Sequence, residues 1–307
     1  MNIIDKKINE LFSELEIFSL EEIKNHILEK LKLVSPELQQ RINDFFVKFP
    51  FWGTLFDKEN NTIDQISKFL KENTQKLKNF YFSLSDYYSK KIFYAIINNW
   101  YNFDFANLSE IMEKKFPHYF DLDLITNTKN LTFVDIGAYT GDTIKDFLTT
   151  YNEEYKKIYA YEMTEESMKK LKENVYMYPR IIYKEKALSD FVGKGTINVN
   201  DVSSSSNQII KDDEGNILVT TLDEDIDEKI DIIKIDIEGG EYNAIKGMTK
   251  HIEEDRPILL LSIYHGFNDF IRIWEYVYNL KVEYEFYLRY YGGPIFPTEI
   301  VLVCLPK

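Results

Sequence analysis

Cysteine occurs once in the 307 residues, at Cys304 inside the apolar run EIVLVCL. A lone cysteine excludes an internal disulfide and fits a reducing compartment, so a cytoplasmic protein is expected, with Cys304 as a small buried strand residue. Long apolar runs are missing as well: none approaches the roughly 18–20 residues a membrane-crossing helix needs. The opening MNIIDKKINELF alternates charged and apolar residues and has no signal-peptide core. Basic charge is scarce, 37 Lys and Arg against 51 Asp and Glu, for a formal net charge of −14. Such a surface repels phosphate backbones and no basic stripe offsets it, which argues against a nucleic-acid partner. Histidine is rare, and His26, His118 and His251 show no metal-ligand spacing.

Glycine is nearly absent from the first part of the chain. Of twelve glycines only Gly53 precedes residue 130. That part also lacks alternating strand patterns and shows helical spacing instead. Ile23, Ile27, Leu28 and Leu31 recur on one face after Ser19, with Glu22 completing a capping box. Ile63, Ile66, Phe69 and Leu70 repeat the pattern, as do Ile92, Tyr94–Ile96 and the residues up to Trp100. Residues 1–125 therefore read as a helical accessory region, and its stretch FYFSLSDYYSKKIFYAIINNWYNF as packing surface. These helices are open to three roles: forming a homo-oligomer, capping an acceptor pocket, or docking a partner.

From residue 126 to 307 short apolar runs alternate with helical segments, the pattern of a parallel sheet covered on both faces. Seven runs read as strands: LTFVDI, KIYAYE, IIYKEKAL, DIIKID, ILLLSIY, YEFYLR and EIVLVCL. KGTINVN and NILVTTL read as an inserted β-hairpin, with SSSSNQIIKDDEG as its polar loop and Ser203 to Gln208 as a loop tip or lid. The expected fold is α/β: a doubly wound, Rossmann-like sheet with a β-hairpin insertion and a helical N-terminal extension.

In LTFVDIGAYTGDTIKDFL a strand meets a glycine loop and then a helix. Gly137 permits a tight turn, and Gly141 lets a helix begin close by. The helix start at Asp142 and Thr143 offers unpaired N–H groups to a ligand. Tyr139 stands where a dinucleotide loop wants glycine, which disfavours an NAD-dependent dehydrogenase. Asp135 repels a pyrophosphate and suits a cationic ligand such as S-adenosylmethionine, with its ammonium and sulfonium. Glu162, at the end of the second strand, is placed to accept ribose hydroxyls.

IIKIDIEGGEYNAIKGM ends a buried strand on Asp236 and Glu238. At i, i+2 the two carboxylates share a side in extended geometry. They could hold Mg²⁺, serve as base and orienter, or position cofactor and substrate. Positioning is preferred because two carboxylates are a minimal hard-cation site, so no metal ligand is assigned and Mg²⁺ stays the rival. His265, in SIYHGFND, is a candidate base for a hydroxyl acceptor, and Tyr264 a packing residue or pocket wall. RYYGGPIFPTE suits either a sugar-stacking loop or ordinary turn packing. KIDIEG stands where DNA or RNA methyltransferases carry a Pro-Pro-aromatic block.

VDIGAYTGDT, the strand-end YE, ALSD followed by a hairpin, VTTLDEDI, IIKIDIEGGEYNAIKGM and RPILLLSIYH occur in the order seen in FkbM-type methyltransferases, which depend on S-adenosylmethionine. The resemblance covers roughly residues 130–305, and LSDYYSKKIFYAIINN with YFDLDLI is similar to the lead-in of bacterial members. It implies methyl transfer, usually to a hydroxyl of a small molecule. Bacterial members are often linked to surface glycans, and others modify secondary metabolites. Asp135, Gly137, Ala138 and Gly141 would form the cofactor loop, Glu162 would hold the ribose, and Ala187 with Ser189 would lie beside the adenine. Asp236 and Glu238 would face the methyl-transfer region. Two departures stand out: YEMTEES replaces an aromatic–Glu–Pro block, and Ser262 stands where many members have Glu. A catalytically inactive scaffold that binds S-adenosylmethionine is the alternative from a different class.

Overall fold

A computed structural model describes residues 2–49, 52–55, 61–126, 129–152, 154–198 and 208–307. The expected loop tip, Ser203 to Gln208, lies outside the described residues except for the backbone of Gln208.

The chain opens with helices α1 (Ile3–Ile17), α2 (Leu20–Leu33), α3 (Pro36–Lys48), α4 (Thr62–Ser83), α5 (Tyr87–Asn102) and α6 (Phe105–Ile111). Their starts are written locally. Ser19 and Glu22 form the expected reciprocal cap at α2, and Asn2 with Asp5 form another at α1. Pro36 sits in the first turn of α3, where its missing N–H leaves no hydrogen bond unmade. The aromatic-rich stretch is packing surface as its spacing predicts, with Phe80, Tyr81, Phe93 and Trp100 all buried.

Strand β1 (Leu131–Ile136) begins the α/β part, followed by α7 (Asp142–Thr150), β2 (Tyr155–Tyr161), α8 (Glu165–Val175) and β3 (Ile181–Lys184). Then come β4 (Ala187–Leu188), β5 (Gly193–Asn198), β6 (Gln208–Lys211), β7 (Ile217–Thr220) and α9 (Leu222–Asp225). The chain closes with β8 (Ile232–Ile235), α10 (Glu241–Lys246), α11 (Thr249–Glu254), β9 (Ile258–Ser262), α12 (Phe267–Asn279), β10 (Tyr284–Tyr290) and β11 (Ile300–Pro306).

Seven strands form the main sheet in the order β10-β11-β9-β8-β1-β2-β3. β11 runs antiparallel to both its neighbours, and the other pairings are parallel. Strand order reverses between β1 and β8, so the loops at their carboxyl ends diverge and open a crevice. Cys304 is a buried strand residue, as expected, and burial raises its thiol pKa.

The run IIYKEKAL does not form one strand. It breaks at Glu185 and Lys186, and Ala187–Leu188 leaves to pair with β7. The expected hairpin strands do pair, Gly193–Gly195 against Ile217–Val219. QIIK, read as loop, is instead the strand β6 alongside β5, completing a second sheet of order β4-β7-β5-β6. Four residues were too few to register against the polar sequence around them.

The helices cover one side of the sheet through α12. Phe80 stacks on Trp274 at 4.8 Å, and Trp100 meets Phe267 and Phe270 edge-on. One apolar cluster runs from Ile4 through these rings to Leu302.

Candidate functional site

A cavity of about 530 Å³ opens at the carboxyl ends of β1, β2, β8 and β9. Its first wall is the loop after β1. Gly137 has φ +78°, and a Cβ there would stand 1.8 Å from the carbonyl oxygen of Asp236. Only glycine fits this crossing of two strand ends. The N–H groups of Gly137 and Ala138 both donate to the Tyr161 carbonyl, at 3.0 and 2.9 Å, which pins the loop to the end of β2. Gly141, with φ +82°, caps α7 and aims its first turn at the cavity, where Asp142 and Thr143 line the wall.

Glu162 follows β2 and faces the same space. One carboxylate oxygen accepts from the Thr164 N–H and hydroxyl, at 2.8 and 2.7 Å, and the other from the Tyr139 N–H at 3.1 Å. Ala187 and Ser189, both buried, line the wall beyond it with Leu188. The residues expected to hold a nucleoside therefore meet on one side of the cavity. Ala138 and Gly141 support that wall from behind and do not line it.

Asp135 departs from its expected use. Its carboxylate is fully buried and stands 3.0 Å from Lys234 Nζ, directly opposite in register on β8. Burial lifts the Asp135 carboxyl to about 6, against the pull of Lys234. Burial also works against the Lys234 charge, but Asp135 and Asp236 hold the ammonium above its ordinary value. Lys234 Nζ further donates to the Gly137 carbonyl at 2.9 Å. Asp135 therefore acts on the loop through Lys234 rather than offering its carboxylate to a ligand.

The opposite end of the cavity gathers acids, tyrosines and imidazoles from distant segments. Asp236 and Glu238 both line it, as expected for a strand ending on two acids. Tyr119, from the segment before β1, donates to Asp236 Oδ2 at 2.5 Å, and its hydroxyl lies 3.3 Å from Ser262 Oγ. Burial and Asp236 together raise the Tyr119 phenol well above its usual range. His118 lies flat against Tyr119 with ring centres 4.0 Å apart, and burial pushes its imidazole down to about 4. Tyr264 proves a wall residue, and Glu299 joins it from the start of β11. Burial and the nearby Asp236 lift the Glu299 carboxyl to about 7.

His265 does not present itself as a base. It is 2% exposed and stands behind the wall among three carboxylates. Nε2 lies 3.4 Å from Asp236 Oδ1 and 3.3 Å from Glu238 Oε2, and Nδ1 lies 2.9 Å from Glu241 Oε1. Burial alone would discharge the ring, yet Glu241, Glu238 and Asp236 raise its pKa well above the ordinary value. Its ring nitrogens face these carboxylates, and the ring does not line the cavity. Glu241, absent from the expected site, is fully buried and accepts from the N–H groups of Ile237 and Gly239, at 2.8 and 2.9 Å.

Tyr119, Tyr139, Glu238 and Glu299 all line the cavity with positive φ, at 71°, 44°, 60° and 49°. Left-handed backbone costs a non-glycine residue free energy and concentrates where side chains must be aimed. His118, Tyr119 and Glu299 were missed because each lies outside the two conspicuous loops; Glu241 lies within the second, but the imidazole it faces, His265, does not. Lys234 did carry a signal, a lone charge among the three isoleucines of the buried strand β8.

The sequence matches the family model described as Methyltransferase FkbM domain over residues 135–292, just over half of the chain. Methyltransferase FkbM from Methylobacillus flagellatus KT has a similar solved structure, with TM-score 0.66 and 21% identity. The match covers 79% of this chain and 61% of that one, so the chain spans less than two thirds of that structure's length. An rRNA methylase from Streptococcus thermophilus matches with TM-score 0.39 and 16% identity, over 67% of this chain and 95% of that one. Fibrillarin from Aeropyrum pernix, solved with natively bound S-adenosyl-L-methionine, matches with TM-score 0.36 and 11% identity, over 58% and 67% of the two chains. No curated protein matches the chain.

Proposed function

Because the chain belongs to the FkbM methyltransferase family, we propose that it transfers a methyl group from S-adenosylmethionine to a hydroxyl of a small molecule, a sugar or glycan precursor for surface polysaccharide. One observation carries the reading. A single cavity joins a glycine loop and a ribose-facing acid at one end to an acid, tyrosine and imidazole cluster at the other.

Donor fit rests on the Gly137 crossing, which no side chain can enter, and on Glu162, whose carboxylate the Thr164 and Tyr139 N–H groups hold towards the cavity. Asp142 and Thr143 offer the first turn of α7, and Ala187, Leu188 and Ser189 form the wall for a base. When bound, the donor supplies a methyl group on a sulfonium, which passes to the acceptor oxygen as the carbon–sulfur bond breaks and its electron pair stays on sulfur.

Alignment of donor and acceptor supplies much of such a rate enhancement. Rings of His118, Tyr119 and Tyr264 suit the faces of a sugar, and carboxylates suit its hydroxyls. The acceptor hydroxyl must also lose its proton. Glu299 is the group poised to take it, since its carboxyl titrates near neutrality and faces the cavity. Asp236 and Glu238 then position the acceptor. Among the described residues no helix is long and apolar enough to cross a membrane; a cytoplasmic location is part of the proposal.

Calorimetry of the full chain with S-adenosylmethionine tests the first step. Micromolar to sub-millimolar binding is expected, and no heat at millimolar donor sinks the reading. Donor binding without turnover on any nucleotide-linked or free sugar favours the scaffold alternative.

A further inference from the structure

Three carboxylates around His265 leave a surplus of negative charge at the acceptor end of the cavity. Lys234 offsets only part of it, because its ammonium pairs directly with Asp135 and the Gly137 carbonyl and acts on Asp236 without contact. At most one charge on the ring then faces Asp236, Glu238 and Glu241. Glu238 is solvated, but Asp236 is largely and Glu241 fully buried, and a nearby cation would lower the cost of their charge.

The distances say where it would lie. A charge-assisted N–H···O contact closes to about 2.7–2.9 Å. His265 Nε2 stands 3.4 and 3.3 Å from the nearest oxygens of Asp236 and Glu238, too far for that. Among the described residues both ring nitrogens of His265 and Asp236 Oδ1 are buried without a hydrogen bond. Three donors that each stand about 2.0–2.2 Å from one ion lie roughly 3.0–3.5 Å apart. Both separations from Nε2 fall in that interval. Asp236, Glu241 and His265 also bring one ligand atom each within 4.8 Å of one another.

The ring is also oriented from behind. Nδ1 faces Glu241 at 2.9 Å, and the N–H groups of Ile237 and Gly239 fix that carboxylate. A carboxylate behind the second ring nitrogen is the arrangement that sets the tautomer of a metal-bound imidazole. Glu238 is two-thirds exposed and, with Asp236, lines the cavity, so the ligand set is open on the acceptor side.

We propose that Asp236 Oδ1, Glu238 Oε2 and His265 Nε2 form a binding site for one divalent cation, with Glu241 orienting the imidazole. One nitrogen and two oxygen donors suit Mn²⁺, Co²⁺ or Zn²⁺ better than Mg²⁺ or Ca²⁺. Local spacing argued for no metal because it offered only two carboxylates. The fold adds His265 from the end of β9 and Glu241 from α10. The proposed role, holding an acceptor oxygen in the open position, rests on the methyltransferase reading above; the site itself does not.

The test is titration of the chelator-treated full chain with Mn²⁺ alone and with Zn²⁺ alone, followed by calorimetry. For Mn²⁺, free ion is also counted by electron paramagnetic resonance, and water-proton relaxation reports exchangeable water on the bound ion. One site per chain is expected, tighter for both ions than for Mg²⁺. Glu238→Gln and His265→Gln should each weaken it at least about tenfold, and Glu241→Gln about tenfold or more through orientation. Glu238→Gln changes an exposed side chain, so its effect is readable even where His265→Gln unfolds. No saturable binding overturns the site, and so does binding that Glu238→Gln leaves intact. Donor calorimetry on the same sample separates the two claims. Donor binding without metal binding overturns only the metal site, and metal binding without donor binding overturns only the methyltransferase reading.

Discussion

Lys234 and Asp135 stand opposite each other in register on adjacent parallel strands, and their charges meet 3.0 Å apart with both side chains buried. The same ammonium donates to the Gly137 carbonyl, so one pair joins the sheet interior to the loop that faces the cavity. Removing one partner of a buried pair leaves an uncompensated charge. Lys234→Met should therefore cost about 3–5 kcal/mol in denaturant unfolding. Adding Asp135→Leu should recover most of that loss, because an apolar pair replaces the ionic one. Donor affinity should not recover with it, since Gly137 still lacks its donor. Full recovery of affinity in the double variant would show that Lys234 has no part in holding the loop.

Gly137 is the tightest point of the site. Any Cβ meets the Asp236 carbonyl, and the backbone is left-handed as well. Gly137→Ala should destabilise the fold by about 3 kcal/mol or more and abolish donor binding. Gly293→Ala is the control: nothing lies within 4 Å of the added carbon, so stability should change by less than about 0.5 kcal/mol. Thermal unfolding of both variants decides it.

Those two positions also mark how much the sequence could reveal. Gly137, Glu162, Asp236 and Glu238 were legible because glycine and acids at strand ends are conspicuous against apolar runs, and the crevice does gather them. Helix starts such as Ser19 with Glu22 were legible because capping is local. His118, Tyr119, Glu241 and Glu299 were not, because each gains its meaning from a partner far along the chain. Tyr119 reaches Asp236 across 117 residues, and nothing near Tyr119 announces that contact. Asp135 misled for the same reason. Its neighbour in sequence is a glycine loop, but its neighbour in space is Lys234.

Glu299 sets an expected pH response. Its carboxyl is lifted to about 7 from an ordinary 4.5, so between those values the folded protein holds a proton that the unfolded chain has released. Stability from this group therefore falls as pH rises from about 4.5 to about 7 and is level above. Asp135 and Asp269, both lifted to about 6, add the same sign over a lower window. Activity should run the other way, rising through about pH 7 as Glu299 becomes able to accept a proton. Glu299→Gln should remove that rise and lower kcat about 10²–10⁴-fold, with donor affinity little changed. A retained rise in kcat/KM at the same pH would assign the proton to another group.

Arg289 on β10 joins the helical region to the main sheet. It is buried and pairs with Asp121 and, at 3.3 Å, with Asp86, the cap of α5. Ser89 completes the junction by accepting the Leu288 N–H at 2.8 Å. Asp121 in turn accepts the Asp123 N–H at 2.8 Å, fixing the turn that follows Tyr119. Arg289→Met should therefore cost about 3–5 kcal/mol, because it leaves Asp121 unpaired inside the protein. Arg289→Lys keeps the charge but loses the planar fork, so a smaller loss is expected. The sharper consequence concerns Tyr119. If Asp121 anchors it, hydrogen exchange in Arg289→Lys should quicken at residues 118–125 while the centre of β1 stays protected. Uniform quickening would mean that the junction stabilises the whole fold without positioning Tyr119. Selective quickening would make the helices part of the acceptor wall, since α5 would hold Tyr119 against Asp236 through Arg289.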